Sequence, residues 1–252
     1  MQLKLTTWNI NSVRLRINLV AKFIKAVRPD VLCLQEIKCP DDAFPRKRLK
    51  RLGYEHIALN GQKGYHGVAV ISRLPFDSQT LKSYCGKTDS RHVGAVLGEK
   101  AGLRDPLSIH NYYVPAGGDE PDPTINPKFA HKLAFLDELR ACPHMLPAPA
   151  QRSIVVGDLN VAPLECEKLT AAQRAGNWID VARTFVREPE KLFTWWSYRS
   201  PDWITADKGR RLDHIWVSQM LGDRLAAIDV AKAARGWERP SDHVPVTVTL
   251  EV

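Results

Sequence analysis

The chain has 252 residues, of which 44% are hydrophobic and 25% charged, a balance that excludes disordered, collagenous and coiled-coil proteins and suffices for a buried core. Lys and Arg outnumber Asp and Glu by 36 to 28, a net charge of +8, which favours a polyanionic partner: nucleic acid, acidic lipid or a phosphorylated metabolite. No stretch approaches the ~18 uninterrupted apolar residues of a membrane span, so no membrane partner is expected. The first residues lack the long apolar run of a secretory signal. The 5 cysteines include no Cys-x-x-Cys and no compact Cys/His cluster. Reduced thiols in a cytoplasmic protein are therefore expected, not a disulfide framework or a structural zinc.

Leu3–Trp8 reads as a strand. A helix follows over Val13–Val27, because Val13, Ile17, Val20, Ile24 and Val27 recur at helical steps. Ser12 is placed to cap its start, and Pro29 prevents its continuation. Val31–Leu34 is a short buried strand, and Val68–Ile71, Val93–Leu97 and Leu107–Tyr113 continue the series. A second helix spans about Pro127 to Arg140, with Asn126 as cap, Pro127 in the first turn, and Phe129, Leu133, Leu136 and Leu139 on one face. The proline-rich stretch Pro143–Pro149 joins two halves of one domain covering residues 1–252. Strands at Ile154–Val156, His214–Val217, Ala227–Val230 and Val244–Leu250 complete the pass. Many strands with few strong helices predict an α/β protein built as a β-sandwich covered by helices.

The strands end in carboxylates and amides. Trp8 is followed by Asn9, Gln35 by Glu36, and Gly157 by Asp158. Residues two apart on an extended chain share a face, so Asp158 and Asn160 can point to one place. Tyr113 ends another strand, Arg211-Leu212-Asp213 leads into one, and Ser241-Asp242-His243 leads into the last. If these ends converge, one site holds four acids, amides, a tyrosine and a histidine. Each alone is an ordinary turn former or cap. Together they are the inventory of hard-cation phosphoester chemistry: Mg²⁺ takes oxygen ligands from one or two carboxylates and keeps several waters, and hydrolysis needs an oriented water and donors to developing phosphoryl charge.

In order, Trp8-Asn9-Ile10-Asn11, Leu34-Gln35-Glu36-Ile37-Lys38, Tyr113-Val114-Pro115, Gly157-Asp158-Leu159-Asn160, Phe193-Thr194-Trp195-Trp196, Arg211-Leu212-Asp213 and Ser241-Asp242-His243 resemble the exonuclease III family of abasic-site DNA endonucleases, within the endonuclease/exonuclease/phosphatase superfamily. The match runs from Leu3 to about Leu250. The resemblance implies a four-layer α/β sandwich of two packed mixed sheets flanked by helices. It also implies divalent-metal-dependent cleavage of double-stranded DNA at abasic sites or 3′ ends by a monomer using Mg²⁺ or Mn²⁺. By it, Glu36 is the main metal ligand, with Asn9 and Asp242 close by. Asp158 with Asn160 orients or activates water beside the metal, His243 paired with Asp213 contacts the scissile phosphate, and Tyr113 supports the phosphate or leaving group.

The segment Thr194–Arg211 interleaves Trp195, Trp196, Tyr198 and Trp203 with Arg199, Lys208, Arg210 and Arg211. Aromatics beside cations suit a flipped-out sugar and its flanking phosphates; one of the two adjacent tryptophans is expected in the core. By the resemblance, Trp195 and Leu212 line the abasic-sugar pocket, and Arg199, Arg210, Arg211 and Asn11 are further DNA contacts. The run Arg46–Arg51 is either a solvated helix face or a phosphate contact. Two departures stand out. Ala116 replaces a polar residue of many relatives, and only 37 positions separate Asp158 from Trp195, a shortening centred on Glu165-Cys166-Glu167. Two other readings stay open: a phosphomonoesterase acting on small phosphorylated ligands, and a non-catalytic nucleic-acid-binding regulator on the same fold.

Overall fold

The computed structural model describes residues 1–162, 166–200 and 202–252. The first half runs β1 (Gln2–Asn9), α1 (Val13–Val27), β2 (Val31–Gln35), α2 (Arg46–Lys50), β3 (His56–Asn60), β4 (Val68–Ser72), β5 (Ser78–Leu81), β6 (His92–Leu97) and β7 (Leu107–Tyr113). The second half continues α3 (Pro127–Arg140), β8 (Arg152–Asp158), α4 (Glu167–Ala175), β9 (Ile179–Asp180), α5 (Val181–Phe185), β10 (Trp195–Trp196), α6 (Trp203–Ala206), β11 (Gly209–Arg210), β12 (Asp213–Val217), β13 (Leu225–Val230) and β14 (Val246–Glu251). The last strand starts two residues later than expected, just beyond Pro245, which has no N–H to give a ladder.

Two six-stranded sheets have the orders β13-β14-β1-β2-β4-β3 and β5-β6-β7-β8-β12-β9. Each contains one parallel pair, β1–β2 and β7–β8, bridged by α1 and α3 respectively; the other pairs are antiparallel. Between the sheets lies an apolar layer that includes Leu3, Leu5, Cys33 and Val70 from one and Val93, Ile109, Ile154 and Ile215 from the other. Helix α1 packs Val20, Phe23 and Ile24 on Trp8, Leu32 and Leu34. On the opposite outer face, α3 and α4 bring Phe135, Leu136, Leu139 and Leu169 against Tyr112, Val155 and Trp216. The result is a four-layer α/β sandwich, as the resemblance implies.

Both parallel pairs deliver their carboxyl ends to one edge, where a parallel sheet presents its ligand-binding residues. Register places Asn9 opposite Gln35, Tyr113 opposite Asp158, and Asp158 opposite Asp213. Strand β1 is completed on its other side by β14, with Gln2 opposite Glu251. Asn126 caps α3 as expected, its Oδ1 accepting from Lys128 N at 3.0 Å and Phe129 N at 3.3 Å. Ser12 does not cap α1. Its φ is 84°, its side chain makes no capping bond, and its backbone N–H instead donates to the Glu36 carbonyl at 2.7 Å. The buried face of α3 comprises Lys132, Phe135, Leu136 and Leu139, so two of the four expected residues, Phe129 and Leu133, are only part-buried. Among the described residues, no helix is long and apolar enough to cross a membrane.

Candidate active site

Glu36 lies one residue past β2 with φ of 48°, a conformation that costs a non-glycine residue about 1–3 kcal/mol and is retained where surrounding contacts over-determine it. Those contacts are visible. Oε1 accepts from Asn9 Nδ2 at 2.9 Å and from the Tyr113 hydroxyl at 2.8 Å, while Oε2 faces Lys38 Nζ at 2.7 Å. The same Asn9 Nδ2 donates to Asp158 Oδ2 at 2.8 Å, tying an acid of each sheet to one amide. Burial alone would raise the proton affinity of Glu36, but the Lys38 ammonium and the three hydrogen-bond donors outweigh it and hold the carboxyl below its usual range.

Asp158 ends β8 immediately after Gly157, whose φ is 138°. A side chain at Gly157 would collide with the Tyr112 backbone across the parallel pair, so glycine is required there. Asp158 Oδ1 accepts from the Asn160 backbone N–H at 2.9 Å, and Asn160 Nδ2 reaches the Val114 carbonyl at 2.8 Å. Asn160, at φ of 51°, therefore turns back over the acid it follows.

His243 completes the centre. Its Nδ1 lies 2.8 Å from Asp213 Oδ2 and its Nε2 3.6 Å from Asp158 Oδ2, with both acids and the imidazole at most 4% exposed. Burial works against the imidazolium, yet the Asp213 and Asp158 carboxylates more than offset it and raise His243 to about 10. Asp158 is also raised, but for a different reason: burial dominates, Asp213 and Glu36 add repulsion, and His243 and Asn9 compensate only in part, leaving it near 7. Asp242 sits beside them, accepting from Trp195 Nε1 at 3.0 Å and Asn11 Nδ2 at 3.2 Å. Burial again opposes its charge, but His243 and Trp195 keep it below the usual carboxylate range.

These groups open onto a cleft of about 580 Å³ lined by Glu36, Tyr113, Asp158, Asn160, Trp195, Leu212, Asp242 and His243, among others. A model of the Endonuclease/Exonuclease/phosphatase family matches residues 6–243. The chain belongs to the endonuclease/exonuclease/phosphatase family. Within it, the chain is 28% identical to the exodeoxyribonuclease III of Haemophilus influenzae, over 97% of this chain and 98% of that protein. It is 27% identical to a Dictyostelium discoideum DNA-(apurinic or apyrimidinic site) endonuclease, over 100% of this chain and 71% of that one. Among solved structures, an AP endonuclease from Archaeoglobus fulgidus superposes with TM-score 0.86 at 27% identity, covering 99% of this chain and 100% of that one. A Neisseria 3′ phosphatase bound to a product DNA hairpin gives the same TM-score, identity and coverage.

Against this family background, the expected site residues divide. Asn9, Glu36, Tyr113, Asp158, Asn160, Asp213, Asp242 and His243 converge in one network, and Asn11 joins it through Asp242 and Lys38. Trp195, Leu212 and Arg210 line the cleft. Trp196 is the core member of the tryptophan pair, packed with Ala234 and Val244. Arg199 is exposed on the loop after β10. Arg211 corrects the sequence expectation: it is 5% exposed and donates through two nitrogens to Asp180 at 2.9 and 2.7 Å, so its guanidinium is committed inside the protein and not to DNA. Along Arg46–Arg51, Leu49 is buried and the cations lie outward; none of them lines the cleft. Glu165 of the shortened segment lies outside the described residues, while Glu167 begins α4.

Three contributors escape the sequence reading. Lys38, two residues from Glu36, bonds Asn11 Oδ1 at 2.6 Å as well as Glu36; that spacing was its signal. Thr194 Oγ1 accepts from the Leu212 and Asp213 N–H groups, both at 3.1 Å, and so fixes the entry to β12. Lys132 reaches from α3 to the Asn160 carbonyl at 2.7 Å, and a lysine on an apolar helix face was the clue. The donor set suits a hard divalent cation: Glu36, Asp158 and Asp242 supply carboxylate oxygens, and the Lys38 ammonium already places positive charge on Glu36 Oε2.

Proposed function

We propose that this chain is a DNA-repair nuclease that hydrolyses phosphodiesters of duplex DNA, cutting 5′ to abasic sites and trimming 3′ ends as exonuclease and phosphodiesterase. The observation that carries the reading is the buried Asp213–His243–Asp158 array tied through Asn9 to Glu36 at the floor of the Trp195-lined cleft. A charged imidazole at neutral pH donates to a phosphoryl oxygen, and a carboxylate whose proton affinity lies near neutrality is an effective base toward water. Asp158 takes the base role, with Asn160 orienting it. Tyr113 holds Glu36 and presents its hydroxyl toward the phosphate. Glu36 and Asp242, with Asn9 and the Asp158–Asn160 pair nearby, would hold Mg²⁺, or Mn²⁺ in its place, and the bound cation would supply neutralisation of charge on the phosphate and the leaving oxygen.

Substrate preference rests on Trp195 and Leu212 as the wall for an extruded sugar, with Arg210 at the rim and Asn11 and Arg199 as outer contacts. The excess of basic residues supports a DNA partner through phosphate neutralisation. We further propose that the protein acts as a monomer in the cytoplasm, where its free cysteines stay reduced. The deciding experiment incubates a labelled duplex with one central tetrahydrofuran abasic analogue in Mg²⁺ or in EDTA, beside intact blunt-ended and 3′-phosphate duplexes. Mg²⁺-dependent scission 5′ to the analogue is expected, and the blunt duplex reports the exonuclease share. Binding without scission would make the chain a regulator. Turnover of small phosphate esters with no action on DNA would make it a phosphomonoesterase.

A further inference from the structure

A second concentration of metal-ligating groups lies on the helix-covered face of the second sheet, opposite the β7 face that carries Tyr113. His92 of β6, His110 of β7 and His144 of the 3₁₀ turn Pro143–Met145 each place a ring nitrogen within 4.8 Å of the others. His92 Nε2 and His110 Nδ1 are 3.1 Å apart. Two imidazole nitrogens on one tetrahedral zinc, each at 2.0–2.1 Å, are separated by about 3.3 Å; this pair is close to that spacing but is hydrogen-bonded between rings only 12° from parallel, so its nitrogens must turn from each other to share an ion. Gly94 keeps the place open, since a Cβ there would lie 3.1 Å from His110 Nδ1. His92 is buried and its Nδ1 has no hydrogen-bond partner.

We propose that His92, His110 and His144 form a site for a borderline divalent transition metal, Zn²⁺ by preference, that is separate from the nuclease centre and fastens the Pro143–Met145 turn to the sheet. Imidazole donors favour zinc over the Mg²⁺ that the carboxylate centre takes. The rings are neutral, the form that ligates: burial, reinforced by neighbouring positive groups, holds His92 well below its ordinary value, His110 near 3 and His144 near 4. His144 stacks on His110 at 4.1 Å and 8°. His92 is likewise within 12° of His110 and 7° of His144, so the rings must turn to aim their in-plane lone pairs at one ion, part-buried His144 on its short turn most freely. The Tyr112 hydroxyl, bonded to His144 Nε2 and 2.8 Å from the Tyr84 hydroxyl, adjoins as an oxygen donor. Among the described residues, Lys82 is the cation that faces the cluster and opposes the metal; it donates to Cys142 Sγ at 2.9 Å. Sequence spacing conceals the site, because its three ligands lie far apart along the chain and meet only through sheet register and the turn after α3.

The test titrates zinc into the full chain in excess Mg²⁺, which competes for the carboxylate centre. One tight zinc per chain is expected, raising the melting temperature by about 5–10 °C at a hundredfold excess over Kd. His144→Gln should weaken that binding about 10- to 100-fold while Mg²⁺-dependent activity is retained. Lys82→Gln should tighten it several-fold, a gain that loss of folding cannot mimic. Zinc X-ray absorption of the unmodified protein gives a reading independent of any variant: three imidazoles support the site. Equal zinc uptake by the parent and His144→Gln, or a zinc shell with one imidazole or fewer, overturns it.

Discussion

Asn9 is a single small amide, yet its side-chain nitrogen donates to both Glu36 and Asp158, and the backbone carbonyl of the same residue accepts from Ser241 Oγ at 2.6 Å in the loop that carries Asp242 and His243. Several predictions belong at this scale. Asp158→Asn should lower kcat by on the order of 10³-fold with DNA affinity retained; single-turnover cleavage with filter binding checks both, and an active variant removes Asp158 from the chemistry. Glu36→Gln should raise the Mg²⁺ concentration at half-maximal rate, and an unshifted metal titration would speak against ligation there. Asp213→Asn removes the carboxylate that most strongly holds the proton on His243. The alkaline limb of the pH–rate profile should therefore move to lower pH, whereas an unmoved limb would detach His243 protonation from the reaction. Arg211→Met buries a methionine but leaves Asp180 as a part-buried charge without its guanidinium partner, and its effect should fall on stability, at up to about 3–5 kcal/mol in urea unfolding.

At the scale of the element, the sequence was most legible where one face of a segment is apolar. Helices α1 and α3 match their expected bounds, and β7 runs over the expected residues because Leu107, Ile109 and Asn111 alternate inward. Strand β5 escaped because all four of its residues are exposed at a sheet edge, so no burial pattern marks it. The two-residue strands β10 and β11 escaped because they are too short to carry a period. Their pairing nevertheless sorts the basic residues, with Arg210 opposite Trp195 at the cleft and Arg211 inside on Asp180. Adjacent residues on an extended chain face opposite ways, and composition could not say which arginine faced out. Among the acids of the candidate site, strand-end placement was readable, but the left-handed turn at Glu36 and the donors that hold it needed coordinates. Gly157→Ala should cost more than the 1–3 kcal/mol of backbone strain alone, because a Cβ also meets the Tyr112 backbone. Near-normal melting would show that β7 and β8 can part locally.

For the whole molecule, buried histidines of opposite behaviour set the pH range of stability. His214 near 4, His144 near 4 and His110 near 3 bind protons less readily folded than unfolded. Their stabilisation is complete above about 6.5 and is lost as pH falls toward those values, on the order of 3 kcal/mol for His214 alone. His243, raised to about 10, acts in reverse: its contribution is present below about 6.5 and declines as pH rises toward 10. Urea midpoints should therefore peak near neutrality, and a flat profile from acid to alkali would contradict the assignment. The pairing of β1 with β14 carries a different consequence. A ribosome releases β1 more than 200 residues before its partner β14, and Ser241, Asp242 and His243 come shortly before that strand. Such distant pairing is slow to form. The nascent polypeptide thus lacks Asp242 and His243 beside Glu36 and Asp158 until β14 emerges and closes against β1.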